Sequence, residues 1–364
     1  MADASPIPKP DRSLAIDAVK GIGILQVVVH HALGQGARNF ATKGDKHWTA
    51  MRVVAWSTNY AIPLFLLLSA MLLAGSLLRR PDTGSFAWRR LSRTLWPYVI
   101  WSAIYWLLRR WKSPHAFDDP RRLLTELLTG KAEYHLYFMV ILIQLTIAVP
   151  FVVLLLRNRK IGFGPVLVLS AALQLGAFFL NRIPEFNVRA PGSLNTWYVP
   201  CLLLGVWIAL NQAAWTAAWT RWRLIMIGVG GLAGTAFTML SVQNELGIAP
   251  DSLTYNGLSV LFRVSLSLAI LGAATMIGES SAGSFLAALG RYSLPIYLAH
   301  PAFLRLLGGP RITKAFSILP APAFWTIAVL LLVSYGFAWL TSLARLDFVL
   351  FGQALPRTKR ATAS

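Results

Sequence analysis

Charged side chains are scarce in this chain of 364 residues. Asp, Glu, Lys and Arg together make up 13% of it, whereas 56% of its residues are hydrophobic. Soluble domains carry about 25% charged residues, so the composition excludes an ordinary soluble enzyme. Apolar runs of about 20 residues, the length that crosses a bilayer as a helix, recur along the sequence. The fold class that we predict is therefore all-α, a polytopic transmembrane helix bundle.

Acidic residues are the scarcer charge type, with 14 Asp and Glu against 34 Lys and Arg and a formal net charge of +20. Such an excess can indicate nucleic-acid binding. Here, however, the basic residues lie between apolar segments and form no separate basic domain. In membrane proteins basic residues gather in loops beside lipid headgroups. We therefore expect the lipid bilayer, and no nucleic acid, as a partner.

Cysteine is almost absent, since Cys201 is the one cysteine in the sequence. A single cysteine excludes a disulfide framework within the chain. The histidines do not share a metal-ligand pattern with cysteine or carboxylates, so no metal is expected. The polar segment 1–12 is rich in proline, and the apolar run after it lacks an obvious small-residue cleavage site. We interpret that run as a retained helix and not as a signal peptide.

The apolar segments divide the chain into a cytoplasmic tail (1–12), a transmembrane domain (13–345) and a second tail (346–364). About ten spans are expected, and an amphipathic surface helix is expected in "DDPRRLLTELLTG", which has an early proline and a final glycine. The spans are approximately 13–33, 53–78, 94–108, 135–156, 163–180, 195–211, 223–242, 257–277, 292–309 and 322–343.

The orientation follows from the short loops that contain "LLRR" and "RNRK". Loops dense in Lys and Arg stay in the cytoplasm, which places the N-terminus there. An even number of spans then places the C-terminus on the same side. We expect a multi-pass protein of the cell inner (plasma) membrane.

The first span contains ionisable groups where charge is costly: Asp17, Lys20, His30 and His31. Lys20 and His31 are eleven residues apart, close to three helical turns, so they share one face about 16 Å apart, whereas His30 points about 100° away from His31. Ionisable groups at membrane depth usually face the bundle interior and mark a functional path. The alternative is a structural ion pair near a headgroup and a hydrogen-bonded core histidine.

Further polar groups recur in later segments. Arg90 and Arg93 share a helix face and can bind phosphates, although their spacing alone favours ordinary cytoplasmic positive charge. Arg263 lies within an apolar run and must find a partner there.

Four motifs occur in order along the chain. They are Asp17, Lys20 and His31 in the first span, the "RLSR" of Arg90 and Arg93 before "LWPY", the "HLYF" that contains His135 and Tyr137, and Ser293, Tyr297 and His300 in "SLPIYLAH". With these motifs the sequence resembles the integral-membrane acyltransferase-3 family over about residues 12–345.

The chain departs from the family pattern at several positions. Lys20 stands where arginine is commoner, which keeps the charge but loses a bidentate fork. Tyr137 replaces a tryptophan, and Ser69-Ala70 replaces Ser-Gly. No soluble esterase-like domain follows the last span, so the sequence is similar to the membrane-only form of the family.

The resemblance implies an acyltransferase without a bound cofactor, which uses acyl-CoA, commonly acetyl-CoA, as co-substrate. It implies a hydroxyl acceptor on a carbohydrate or glycolipid. His31 would then act as general base or first accept the acyl group, with direct transfer favoured, and Asp17 and Lys20 would order it. Arg90 and Arg93 would bind the donor. The residues that would orient the acceptor or stabilise the oxyanion are Ser293, Tyr297, His300, His135 and Tyr137.

Two other functions fit the same pattern of intramembrane charge and proline. One is a transporter of a polar solute or a lipid-linked sugar, and the other is a scaffold subunit with structural ion pairs. The acceptor, the acyl chain length and the oligomeric state are left open by the sequence.

Overall fold

The computed structural model describes residues 14–79, 83–110, 119–188, 191–278 and 280–355, and these residues form helices without any strand. The predicted tail 1–12 and residues 356–364 lie outside the described residues. The helices are α1 (Leu14–Phe40), α2 (Lys46–Ser57), α3 (Ala61–Arg79), α4 (Thr83–Arg110), α5 (Pro120–Thr129), α6 (Tyr137–Leu156), α7 (Phe163–Leu180), α8 (Val199–Leu210), α9 (Gln212–Glu245), α10 (Ser252–Gly272), α11 (Ala274–Gly278), α12 (Ser281–Arg291), α13 (Ser293–Leu307), α14 (Pro310–Ser317), α15 (Pro322–Leu343) and α16 (Asp347–Phe351). Short 3-10 turns occupy Pro184–Phe186, Pro191–Ser193 and Asn195–Tyr198.

The predicted all-α transmembrane bundle is confirmed. Within the described ranges seven helical stretches are long and apolar enough to cross a membrane: α1, α2 with α3, α6, α7, α9, α10 and α15. The other three expected spans coincide with α4, α8 and α13. The first half of α4 is rich in arginine, and α8 and α13 have 12 and 15 residues.

The bundle has two ends, which we name after a residue at each. The Arg90 end contains the end of α3 and the start of α4, where the Nη2 atom of Arg90 lies 3.5 Å from the Oγ atom of Ser76. The start of α1 is also at this end, because the end of α1 lies at the opposite one. The Glu133 end contains the end of α1 and the end of α13, where the side-chain amide of Gln35 donates to the carbonyl oxygen of Leu304 at 2.9 Å. Arg305 pairs with Glu133 at this end.

Close contact between α1 and α12 fixes the start of the first span. A methyl group on Gly21 would overlap the carbonyl oxygen of Leu286, and one on Gly290 would overlap the carbonyl oxygen of Asp17. Small residues permit this approach of two helix backbones. The Nζ atom of Lys20 lies 3.2 Å from the Oδ1 atom of Asp17, so this ion pair lies beside the contact.

The second span is interrupted between α2 and α3, at residues 58–60. Pro63 lies in the first turn of α3, where its missing N–H needs no partner. On the other side of the break, the Nδ1 atom of His30 donates to the carbonyl oxygen of Ala55 at 2.7 Å. The break opens the backbone beside the middle of α1.

The predicted surface helix is α5, at the Glu133 end. Asp119 caps its start, and it ends at Gly130, whose φ of 73° is in the left-handed region that glycine favours. Glu126 accepts hydrogen bonds from Arg109, Trp106 and Arg122 at 2.8, 3.0 and 3.1 Å. Burial raises the pKa of this carboxyl, but these donors outweigh it and hold the pKa below the ordinary 4.5. The carboxylate therefore stays charged and attaches α5 to α4.

The described part of the second tail also belongs to the bundle. The indole N–H groups of Trp96 and Trp101 in α4 donate to the carbonyl oxygens of Val349 and Leu350 at 2.7 and 2.9 Å. These bonds attach α16 to α4.

Candidate active site

Three distant segments bring three imidazole rings together. His31 comes from α1, His135 from the turn before α6, and His300 from α13. The rings of His31 and His300 stack with their centroids 5.4 Å apart. The ring centroids of His135 and His300 are 5.5 Å apart. We call these three residues the imidazole cluster.

Hydrogen bonds to the backbone position the cluster. The Nδ1 atom of His300 lies 2.8 Å from the carbonyl oxygen of Tyr297, so Nδ1 carries the proton. The hydroxyl of Tyr297 donates to the carbonyl oxygen of His135, and the hydroxyl of Tyr105 donates to that of Leu298 at 2.7 Å. Tyr297 therefore ties α13 to the turn at His135, and Tyr105 ties α4 to α13.

Several ring nitrogens of the cluster lack a hydrogen-bond partner among the described residues. The Nε2 atom of His300 and both ring nitrogens of His135 are buried, and each has no hydrogen-bond partner in the described part of the chain. Buried polar atoms normally have partners. With Nδ1 protonated, Nε2 of neutral His300 is a proton acceptor. The sequence predicted that His300 orients the acceptor or stabilises the oxyanion, and this tautomer leaves Nε2 able to accept a hydrogen bond and unable to donate one.

A cavity of about 160 Å³ lies against the cluster. A second, more open space of about 440 Å³ adjoins it at the Glu133 end and is bordered there by Gly130 and Lys131. Tyr134, Tyr137 and Tyr198 line both spaces, so they stand between the cavity and that end of the bundle. Other residues that line the smaller cavity are His30, His31, Asn59, His135, Arg263 and Tyr297.

The structure brings together one half of the predicted site residues. His31, His135, Tyr137 and Tyr297 line the cavity, and His300 stacks on His31.

The other half lies elsewhere in the bundle. Ser293 is the first residue of α13, about 10 Å along that helix from His300. Asp17 and Lys20 form their predicted pair, but they lie at the Arg90 end of α1.

The predicted phosphate-binding pair also lies at the Arg90 end. Arg90 is half-buried and Arg93 is exposed. Neither belongs to any ion pair among the described residues. Arg90 lies about 22 Å along α4 from Tyr105, and the ring of Tyr105 lies 5.3 Å from that of His135. The arginine pair and the imidazole cluster therefore lie at different levels along the bundle.

Arg263 in α10 has uncharged partners at its intramembrane position. Its Nε atom donates to the Oδ1 atom of Asn59 at 3.0 Å, and its guanidinium lies 5.3 Å from the ring centroid of Phe237. No ion pair in the described ranges includes it. It remains an uncompensated positive charge at the wall of the cavity.

Sequence reasoning missed several residues of the cavity wall. Tyr134, Tyr198 and Asn59 carry no local signal, because only the tertiary fold brings them to the cluster. His30 had no assigned role, and its bond to Ala55 shows that it supports the break between α2 and α3.

Comparison with known proteins gave one match. A family model described as an acyltransferase domain matches residues 13–343. The matched range begins one residue before α1 and ends at the last residue of α15, so it contains the imidazole cluster and both arginines of the pair. No curated protein and no solved structure matches this chain.

Proposed function

Because this chain belongs to the acyltransferase-3 family of membrane acyltransferases, we propose that it transfers an acetyl or other short acyl group from acyl-CoA to a hydroxyl of a cell-envelope carbohydrate or glycoconjugate. The observation that carries this proposal is the imidazole cluster at a buried cavity. An alcohol is ionised only far above neutral pH, so it needs a base before it can attack a thioester, and imidazole is the usual base at neutral pH.

The proposed reaction is a direct transfer. His31 takes the proton of the acceptor hydroxyl while the hydroxyl oxygen bonds to the thioester carbonyl carbon. The carbon–sulfur bond then breaks, and the proton passes from the imidazolium of His31 to the departing CoA sulfur. His300 stacks on His31 and positions its ring, and Tyr137 and His135 face the developing oxyanion.

The remaining predicted residues act at a distance from the reacting atoms. The hydroxyl of Tyr297 is occupied by the carbonyl of His135, so Tyr297 positions the cluster. Asp17 and Lys20 form an ion pair within α1 at the Arg90 end, beside the contact of α1 with α12. Ser293 is given no contact with the acceptor, because it lies at the first residue of α13 and does not line the cavity.

The donor is proposed to enter from the Arg90 end. Arg90 and Arg93 carry positive charge without an acidic partner in the described residues, and arginine suits the phosphates of CoA. Acyl-CoA is made in the cytoplasm, so we place the Arg90 end and both termini there, in the inner membrane. The acceptor then enters from the Glu133 end, through the space beside Tyr134.

The test is a comparison of two histidine substitutions in membranes supplied with labelled acetyl-CoA. His31→Ala removes the base and is expected to lower label transfer to envelope glycan about 10²- to 10⁴-fold, the usual contribution of a general base. His47→Ala, which changes an exposed histidine of α2, is expected to keep wild-type transfer.

Two results would contradict the proposal. Transfer at the wild-type rate by His31→Ala removes that residue from the reaction. The transporter is favoured if wild-type membranes move a sugar across the bilayer but neither release CoA nor label glycan.

A further inference from the structure

An apolar groove opens toward lipid between α7, α9 and α10. Its volume is about 750 Å³. Its wall is built mostly from aliphatic and aromatic side chains, among them Leu167, Trp222, Ile225 and Leu268. These residues belong to the halves of the three helices that lie toward the Arg90 end. The groove is distinct from the cavity at the imidazole cluster.

The groove continues toward the Glu133 end as a narrower crevice of about 240 Å³. Ala171, Val260 and Leu261 line both spaces. Along α10 the two together extend from Leu253 to Leu268, which is about 22 Å of helix. One leaflet of a bilayer provides about 15 Å of hydrocarbon. The combined space therefore suits a chain longer than an ordinary phospholipid tail.

Polar groups line the crevice where an apolar chain would not need them. Gln174 is only 6% exposed, and its Oε1 atom has no hydrogen-bond partner among the described residues. Arg263 lines the crevice and also the cavity of the imidazole cluster, so it stands where the two spaces meet. Its charge lacks an acidic partner in the described part of the chain. Because an isolated charge at membrane depth is costly, this position calls for an anion.

We propose that the acceptor is a carbohydrate carried on a long-chain lipid phosphate. The hydrocarbon chain lies in the groove between α7, α9 and α10. The phosphate lies at Arg263, and the sugar extends into the cavity beside His31. This assignment rests on the proposed acyl transfer and adds the class of acceptor. A water-soluble acceptor would leave both the groove and Arg263 without a use.

The experiment is photo-crosslinking of the purified full-length protein in phosphatidylcholine nanodiscs. The probes are a polyprenyl phosphate that carries a diazirine on its chain and the matching polyprenol without phosphate. We expect both to label peptides of α7, α9 and α10. The phosphate is expected to half-saturate at a concentration about tenfold lower, as one charge-assisted contact predicts. Equal half-saturation by phosphate and polyprenol in the wild-type protein would overturn the proposal.

Variants separate the phosphate contact from the groove. Arg263→Gln is expected to abolish the preference for phosphate, and Arg263→Lys to retain part of it. Ala171→Trp fills the junction of groove and crevice and should lower labelling by both probes, because the indole occupies the space that the hydrocarbon chain needs. Leu173→Trp is the matched control, since Leu173 lies on the same helix, is exposed, and lines neither space. Its labelling should equal that of the wild type.

The competitor separates a specific lipid from bulk lipid. Unlabelled polyprenyl phosphate should displace the probe, whereas excess phosphatidylglycerol should not. Equal displacement by phosphatidylglycerol would show a site for ordinary bilayer lipid and overturn the proposal without any use of variants.

Failure here differs from failure of the acyl transfer. If the protein acetylates a soluble oligosaccharide and polyprenyl phosphate does not inhibit it, acyl transfer stands and the lipid acceptor is wrong. If the phosphate preference is present but CoA is released with no acceptor, the lipid site stands and the acyl transfer is wrong.

Discussion

Single residues decide which charges in this membrane protein are available for chemistry. Lys20 pairs with Asp17, and Arg305 pairs with Glu133, so these charges are compensated within the bundle. Arg90 and Arg263 lack such pairs among the described residues, at opposite ends of the proposed reaction path. The sequence marked both arginines, but it did not show which acids would reach them. That depends on contacts between helices far apart in the chain.

The first prediction concerns the donor. Replacing both Arg90 and Arg93 with Gln removes two charge-assisted contacts to CoA phosphates. The KM for acetyl-CoA should rise at least tenfold, which corresponds to about 1.4 kcal/mol, while kcat at saturating donor changes little. The measurement is CoA release as a function of acetyl-CoA concentration in membranes.

The control for this prediction is Arg311→Gln, which changes an exposed arginine of α14. It should leave the KM for the donor unchanged. A donor KM that stays at the wild-type value in the double variant would show that these arginines are ordinary cytoplasmic charge.

At the scale of helices, motif order predicted the cluster better than it predicted its surroundings. His31, His135 and His300 were identified because each lies in a recognisable motif. The break between α2 and α3 was not predicted, since the sequence there reads as one span (53–78). Pro63 was its only local signal. The break matters because it brings Asn59 to Arg263.

The second prediction concerns the contact between α1 and α12. Gly21→Ala places a methyl group against the carbonyl oxygen of Leu286. The backbone of α12 cannot move aside as a flexible side chain does. We therefore expect the free energy of unfolding to fall by about 1–3 kcal/mol. The measurement is thermal unfolding of the purified protein in detergent.

Gly228→Ala is the matched control, because nothing lies within 4 Å of the added methyl group. Alanine is the better helix former, so this variant should be as stable as the wild type or more stable. Equal melting temperatures for the two variants would show that α1 and α12 do not depend on their close approach.

At the scale of the whole molecule, the two ends of the bundle carry different parts of the proposed reaction. The arginine pair lies at the Arg90 end, and the opening beside the three tyrosines faces the Glu133 end. About 22 Å of helix separates Arg90 from the level of the cluster. In the proposed reaction, the donor and the acceptor therefore approach the cavity from opposite sides of the membrane.

The third prediction is the orientation of the chain. Lys43 lies in the loop between α1 and α2 at the Glu133 end, and Lys160 lies between α6 and α7 at the Arg90 end. Each is replaced with cysteine in a separate variant. A membrane-impermeant maleimide should label Lys43→Cys in intact spheroplasts and should not label Lys160→Cys. The native Cys201 is 4% exposed, so the background should be low.

Permeabilised cells provide the control, because both variants should then be labelled. The reverse pattern in intact spheroplasts would place the Arg90 end outside the cell and remove the proposed route of the donor.

The sequence by itself determined the helical bundle, the approximate spans and the histidines of the site, because hydrophobic run length and helical spacing are local properties. The tertiary structure decided which residues meet. It paired Asn59 with Arg263, separated Ser293 from the cavity, and opened the groove between α7, α9 and α10. Such contacts join residues far apart in the chain, and they arise only when helices pack. Local spacing does not encode that packing.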